Sequence, residues 1–290
     1  MGYFGEKLLI TGGTGSFGHA FTEHVLQRQL FDEIIIYSRD EMKQWEMKNL
    51  YSSKDNVSFI IGDVRDEQRL VQAFRGIDFI VHAAATKIVP TAETNPSECI
   101  KTNVMGALNV AQAATLNGVK KVVALSTDKA SSPINLYGAS KLASDKVFIA
   151  SNSKREFCTK FSVVRYGNVL GSRGSVVPFF RSIPVGEKIP ITDKRMTRFI
   201  LTLQEAAELV ETAFSSMFGG EIYVKKIPSM NIMDIAEGIC PGRKTTIVGI
   251  RPGEKIHEQM ISIDDAINTY SFDGYFKILP ADLSEEQLKI

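Results

Sequence analysis

Two short segments carry the residues with the most chemistry: Ser126-Thr127-Asp128-Lys129-Ala130 and, eight residues beyond Lys129, Tyr137-Gly138-Ala139-Ser140-Lys141. Asp128 and Lys129 set an acid beside a base at the end of an apolar run. Tyr137 and Lys141 are four apart, so a helix would place both on one face. An ammonium near a phenol favours the phenolate, which makes a base able to take a hydroxyl proton as hydride leaves. A carboxylic acid can protonate a departing hydroxyl, and a neutral lysine can remove an activated carbon-bound proton, provided the pocket tunes both pKa values. Together the segments suit hydride transfer and elimination, with both Asp128 and Lys129 facing one crevice. A plainer reading stays open, in which Asp128 caps the next turn, Lys129 is solvated, and Thr127 ends a strand instead of orienting a substrate hydroxyl shared with Tyr137.

Those groups need a scaffold. To about residue 170, short Ile/Val/Leu runs alternate with longer amphipathic segments, the pattern of parallel βαβ units. Strands are predicted near 7–12, 33–38, 57–63, 79–85, 121–127 and 161–168, with helices near 16–29, 40–51, 67–74, 94–117 and 135–151. The near-continuous apolar runs Ile34 to Tyr37, Phe79 to Val81 and Val122 to Leu125 suit a doubly wound parallel α/β sheet covered on both faces. Beyond 170, Gly171, Gly174, Pro178, Pro184, Gly186 and Pro190 predict loops, with one clear helix over 205–217 and strands near 221–225 and 245–248. The expected division is a Rossmann domain over 1–170 and a smaller substrate-binding lobe over 171–290, parts of which can return to the main sheet. Arg251-Pro-Gly-Glu-Lys255 is expected to close over a ligand at the carboxyl ends of the strands.

Lys7-Leu-Leu-Ile10 leads into Thr11-Gly-Gly-Thr-Gly-Ser-Phe-Gly18 and then a helical stretch. Gly13, Gly15 and Gly18 thus meet the G-x-G-x-x-G spacing in strand, turn and helix order, and Gly12, Gly15 and Gly18 fit T-G-x-x-G-x-x-G. Backbone amides in such a loop can approach a pyrophosphate resting on the helix N-terminus. After the second strand comes Ser38-Arg39-Asp40; a guanidinium there suits a 2′-phosphate, so NADP is favoured, while Asp40 keeps NAD open. Asp63, after the third strand, either accepts from an adenine amino group or caps a turn.

Composition narrows the partners. A net charge of +1, with 23% charged and 44% hydrophobic residues in 290, gives no general attraction to nucleic acid or membrane. No apolar stretch nears the ~20 residues that span a bilayer, and the first residues lack a signal-peptide layout, so a cytoplasmic location is expected. Cys99, Cys158 and Cys240 are far apart and odd in number, which predicts reduced, buried thiols. His19, His24, His82 and His257 show no ligand spacing, and no metal is expected.

These segments carry a family resemblance. The chain resembles the extended short-chain dehydrogenase/reductases and, within them, is similar to the inverting UDP-N-acetylglucosamine 4,6-dehydratases that begin pseudaminic acid biosynthesis. The matching stretches include Thr11 to Gly18, Ser38 to Lys43, His82 to Ala85, Ile100 to Asn103, Ser126 to Ala130, Pro133 to Gly138, Arg165 to Asn168, Gly171 to Pro178, Met196 to Phe199 and Ile250 to Lys255. The resemblance implies a cycle. Tyr137 takes the O4 proton while the C4 hydride leaves, Lys129 removes the C5 proton, Asp128 helps expel the C6 hydroxyl, and hydride returns to C6. Lys129 stands where C5-retaining members carry an acid, which favours inversion.

The resemblance also assigns binding residues. For the dinucleotide it implies Gly12, Thr14, Gly15, Ser16, Phe17, Gly18, Ser38, Arg39, Asp40, Lys43, Asp63, Val64, Ala83, Ala84, Ala85, Lys87, Asn103, Tyr137 and Lys141. For the UDP-sugar it implies Lys87, Tyr137, Asn168, Arg173, Val176, Thr197, Arg198, Arg251 and Glu254, the arginines being suited to grip a pyrophosphate. Members often write Ala-Leu-Lys-His where this chain has Ala85-Thr86-Lys87-Ile88. They also form homo-oligomers and usually continue some tens of residues beyond Ile290. Two other functions fit parts of the pattern: a nucleotide-sugar C4-epimerase, which needs no Asp128–Lys129 pair, and a non-catalytic NADP-sensing protein.

Overall fold

The computed structural model describes residues 2–153 and 158–280, so residues 281–290 of the expected lobe lie outside the described residues. Strands β1 (Tyr3–Thr11), β2 (Phe31–Ser38), β3 (Val57–Ile61), β4 (Phe79–His82), β5 (Lys121–Thr127) and β6 (Lys160–Tyr166) pair in parallel in the order β3-β2-β1-β4-β5-β6. Their connections hold α1 (Ser16–Arg28), α2 (Glu41–Leu50), α3 (Glu67–Ala73), α4 (Val89–Thr94), α5 (Pro96–Ile100), α6 (Gly106–Leu116) and α7 (Leu136–Ala150). Successive strand residues point to opposite faces. Leu9 and Ile80 accordingly join a core with Phe74 and Val110, while Leu8, Ile10 and Val81 join the other with Phe21 and Phe214. Each such side chain contributes about 1.5–3 kcal/mol of burial, so both faces must be covered. Chain order reverses between β1 and β4, and that leaves a crevice at the strands' carboxyl ends.

The second part of the chain serves two structures. It contains β7 (Asn168–Val169), α8 (Val176–Ser182), β8 (Ile189–Ile191), β9 (Thr197–Leu201), α9 (Leu203–Ser216), β10 (Ile222–Lys225), β11 (Ser229–Asn231), α10 (Ile232–Ile239), β12 (Thr245–Ile247), α11 (Ile263–Ala266), β13 (Thr269–Ser271) and β14 (Tyr275–Ile278). β10 extends the main sheet in parallel beside β6, and β14 then β13 finish that edge antiparallel to their neighbours. α9 packs on the sheet face shared with α1, where His24 Nε2 lies 2.7 Å from Glu211 Oε2. The small sheets β11-β9-β7 and β12-β8 build the lobe around Phe180, Ile189, Met196, Ile232 and Ile235. Among the described residues no helix is long and apolar enough to cross a membrane.

Several expectations are corrected. The helix expected over 94–117 is instead α5, a π-helical turn at Lys101–Met105, and α6. Asn95 and Pro96 separate it from α4, as a residue before proline disfavours helix. α8 forms although Pro178 predicts a break, because proline in a first helical turn forfeits no intrahelical bond. Cys99 is buried, but Cys158 is exposed and Cys240 only half-buried.

Candidate active site

β5 delivers Thr127 to the crevice, and a tight helical turn over Asp128–Ala130 follows at once. Thr127 Oγ1 donates to Asp128 Oδ1 at 2.9 Å and accepts from the Lys129 N–H at 3.3 Å, which fixes the turn. Lys129 Nζ donates to the same Asp128 oxygen at 3.0 Å and stands 3.5 Å from Glu258 Oε1. Two donors thus converge on Asp128 Oδ1, while its buried Oδ2 has no partner among the described residues. Lys129 reaches the cleft wall; Asp128 is fully buried and off it. The expectation that both face the crevice is therefore corrected, since the short aspartate side chain is spent on fixing the turn behind the lysine.

α7 brings the phenol. Asn135 caps it by accepting from the Gly138 N–H at 2.8 Å, and Tyr137 occupies its first turn. Gly138 is what lets the helix come so near, because a Cβ there would lie 2.2 Å from the Lys129 carbonyl oxygen. Tyr137, Lys141 and Asp145 then follow at helical spacing on one face. Burial pushes the Tyr137 phenol up, opposed by side-chain hydrogen bonding with Thr127 but reinforced by the Asp128 charge. Burial pushes Lys141 down, with Asp145 opposing. The expected lowering of the phenol by Lys141 is thus not found: desolvation is the largest influence on the group, and it raises it. His82 Nδ1 pairs with Thr11 Oγ1 at 2.8 Å, and burial with the Lys141 charge pushes the ring down to about 3.

The cleft is one cavity of about 970 Å³, and it gathers most of the residues expected from sequence. At its dinucleotide end are Gly12, Thr14, Gly15, Ser16, Phe17, Gly18, Ser38, Arg39, Asp40, Lys43, Asp63, Val64, Ala83, Ala84 and Ala85. Gly18 permits a tight start to α1, where a Cβ would stand 2.1 Å from the Gly13 carbonyl oxygen. The N-terminus of α1 has no side-chain cap and no acid in its first turn, so its free N–H groups suit an anion. A dinucleotide pyrophosphate fits that cradle. Asp40 caps α2 through the Lys43 N–H at 3.0 Å and pairs with Lys43 Nζ at 2.7 Å, while Arg39 stays 68% exposed and lies 3.8 Å from Asp63. Burial raises the Asp63 carboxyl, but Arg65 and Arg39 outweigh it and hold it below the usual range.

At the sugar-nucleotide end the cleft is lined by Lys87, Asn168, Arg173, Val176, Arg198, Arg251 and Glu254. Asn168 has a buried amide oxygen without a partner among the described residues. Lys87 Nζ donates to the Arg173 carbonyl at 3.1 Å, and the Arg173 N–H donates to Ser16 Oγ at 3.1 Å, tying this wall to the glycine loop. Arg251 is paired with Glu254. Arg198 donates to the carbonyls of Thr197, Ile256 and Lys255, so its guanidinium braces the neighbouring loop over 255–256. Besides Asp128, two expected binding residues are off the wall. Thr197 hydrogen-bonds His257 Nδ1 at 2.8 Å, and buried Asn103 clamps the Thr86 backbone through both amide atoms at 2.8 and 2.9 Å. Glu258, Asp145 and Arg165 escaped sequence reasoning as site residues. The only signal for Glu258 was its place three residues past the Ile250 to Lys255 stretch.

Known proteins resemble this chain over most of its length. The chain is 55% identical over 280 residues to the inverting UDP-N-acetylglucosamine 4,6-dehydratase of Campylobacter jejuni strain 81-176, covering 96% of this chain and 84% of that one. It is 43% identical over 285 residues to a Rickettsia akari UDP-glucose 4-epimerase, covering 94% and 82%. Among solved structures, Pen from Bacillus thuringiensis superposes with a TM-score of 0.93 at 36% identity, covering 97% and 91%. Residues 8–280 match the polysaccharide biosynthesis protein family, and the chain belongs to that family, with the extended short-chain dehydrogenase/reductase fold.

Proposed function

We propose that this chain is a UDP-N-acetylglucosamine 4,6-dehydratase that inverts C5 and uses NADP. The observation that carries the reading is one cleft in which a phenol, a lysine held by carboxylates, and an uncapped helix N-terminus behind a glycine loop come together. The Campylobacter relative supports the reaction, and exposed Arg39 beside the cleft supports a 2′-phosphate. The dinucleotide supplies the hydride acceptor at C4 and the hydride donor at C6. Tyr137 takes the O4 proton, with Thr127 orienting the phenol. Lys129 then removes the C5 proton, and the C–H electron pair moves into the C4 enolate. As the enolate collapses, the C6–O bond breaks and the hydroxyl leaves as water with the proton that Lys129 Nζ took from C5, while the Asp128 carboxylate holds that ammonium in place. A proton delivered to the opposite face of C5 completes the product. Asn168 and Arg173 hold the nucleotide side of the substrate.

A second reading is favoured by the Rickettsia relatives: a nucleotide-sugar C4-epimerase. It uses Tyr137 and Lys141 but gives Lys129 and its carboxylates no task. Exposed Ile100, Met105, Leu108 and Leu116, from α5 through the π-helical turn to α6, support assembly of copies through this stretch. A cytoplasmic location follows, because both ligands are cytoplasmic metabolites. The test is proton NMR of UDP-N-acetylglucosamine incubated with the protein and NADP. A new C6 methyl signal supports dehydration; a C4 epimer alone, or unchanged substrate, refutes it.

A further inference from the structure

Glu258 enters the catalytic cluster from the segment after β12, far along the chain from Lys129, and the cycle above gives it no step. Its side chain is only 3% exposed, yet Oε1 stands 3.5 Å from Lys129 Nζ and Oε2 has no hydrogen-bond partner among the described residues. A buried carboxylate without hydrogen bonds is costly unless a positive charge offsets it, and the Lys129 amine beside it carries that charge once it has taken a proton. The backbone around Glu258 is pinned from several sides. The Thr197 N–H donates to the Ile256 carbonyl at 3.0 Å, Lys255 Nζ donates to the Ser131 carbonyl at 2.9 Å, and Arg165 donates to the Met260 carbonyl at 3.2 Å. That pinning holds the carboxylate at a set distance from the lysine.

We infer that Glu258 is a positioning residue for Lys129: with Asp128 it holds two sides of the amine so that the third faces the substrate carbon in the cleft. The inference rests on the dehydratase reading. Asp128 approaches Nζ from the turn after β5 and Glu258 from the segment after β12, and Lys129 and Glu258 both line the cleft. When the C5–H bond breaks and an N–H bond forms, the electron pair goes to the C4 enolate and a positive charge appears on Nζ. Two fixed carboxylates stabilise that charge as it forms. C4 oxidation, which depends on Tyr137, does not use this arrangement.

The test compares the holoenzyme with Glu258→Gln and Glu258→Asp in deuterium oxide, using UDP-N-acetylglucosamine. Deuterium entry at C5 reports the lysine step, and reduced-nicotinamide absorbance in a single turnover reports C4 oxidation. Glu258→Gln keeps shape and removes charge; it should slow C5 exchange by about ten- to a hundredfold while C4 oxidation and KM stay unchanged. Glu258→Asp keeps the charge at greater distance and should recover part of the exchange rate. Equal loss of both steps, or normal exchange in Glu258→Gln, overturns the assignment. If the glutamine variant does not fold, the aspartate variant decides by the same split. Wild-type protein that neither exchanges C5 nor forms a C6 methyl removes the dehydratase reading itself, a different failure from wild-type exchange with an unaltered glutamine variant.

Discussion

Replacing Arg165 with methionine should cost far more stability than its distance from the substrate suggests. Arg165 is 1% exposed at the end of β6, where its guanidinium lies 3.4 Å from Asp145 Oδ2 and 3.1 Å from Asp265 Oδ2. Asp145 is itself buried, accepts from Ser126 Oγ at 2.7 Å, and has a second oxygen without a partner among the described residues. Burial already pushes the Asp145 carboxyl up, opposed chiefly by the Arg165 and Lys141 charges. Methionine conserves much of the volume but strands the aspartate, and breaking a buried pair on one side costs about 3–5 kcal/mol. The carboxyl should then rise further. An acid whose folded pKa is raised favours the fold while protonated and loses that advantage as pH climbs through the folded value. The Arg165→Met penalty should therefore be small in acid, grow toward neutral pH, and shrink when Asp145→Asn is added. Guanidinium unfolding followed by circular dichroism across that range measures all three effects. A loss under about 1 kcal/mol at neutral pH, a penalty independent of pH, or no recovery in the double variant would refute the reasoning.

Three further outcomes follow from the cleft. Lys129→Ala should lower C5 deuterium exchange by about 10²- to 10⁴-fold with dinucleotide binding intact, read by NMR and calorimetry. Gly18→Ala must push α1 away from the Gly13 carbonyl, so it should abolish dinucleotide binding and destabilise the protein by about 1–3 kcal/mol in a denaturant titration. Arg39→Ala should weaken NADP by about tenfold and leave NAD affinity unchanged, since one exposed charge-assisted contact is lost; equal weakening of both would remove Arg39 from 2′-phosphate recognition.

The dinucleotide half was legible because local rules act there. Near-continuous apolar runs marked β2, β4 and β5, and the glycine spacing from Gly12 to Gly18 marked the turn before α1. Tyr137 and Lys141 were readable for the same reason, as helical spacing alone sets their common face. The lobe was harder. Short strands such as β8 and β11 draw their stability from tertiary contacts, and Pro178 and Pro190 look like breakers although one sits in a first helical turn and the other in an edge pair. The π-helical turn was invisible because its visible consequence is a long-range contact, the grip of Asn103 on Thr86. Glu258 was missed likewise: nothing in its neighbours shows that the chain returns it to Lys129. The pKa direction of Tyr137 failed because spacing gives proximity to Lys141 but not the depth of burial.

The claim beneath the whole account is that one hydrogen leaves the sugar and comes back to it at another carbon. Incubating the protein and NADP with UDP-N-acetylglucosamine deuterated at C4, and reading the product by NMR and mass spectrometry, follows that hydrogen directly. Deuterium found in the C6 methyl group is the predicted result. A product that keeps deuterium at C4, or a methyl group carrying none of it, contradicts the account.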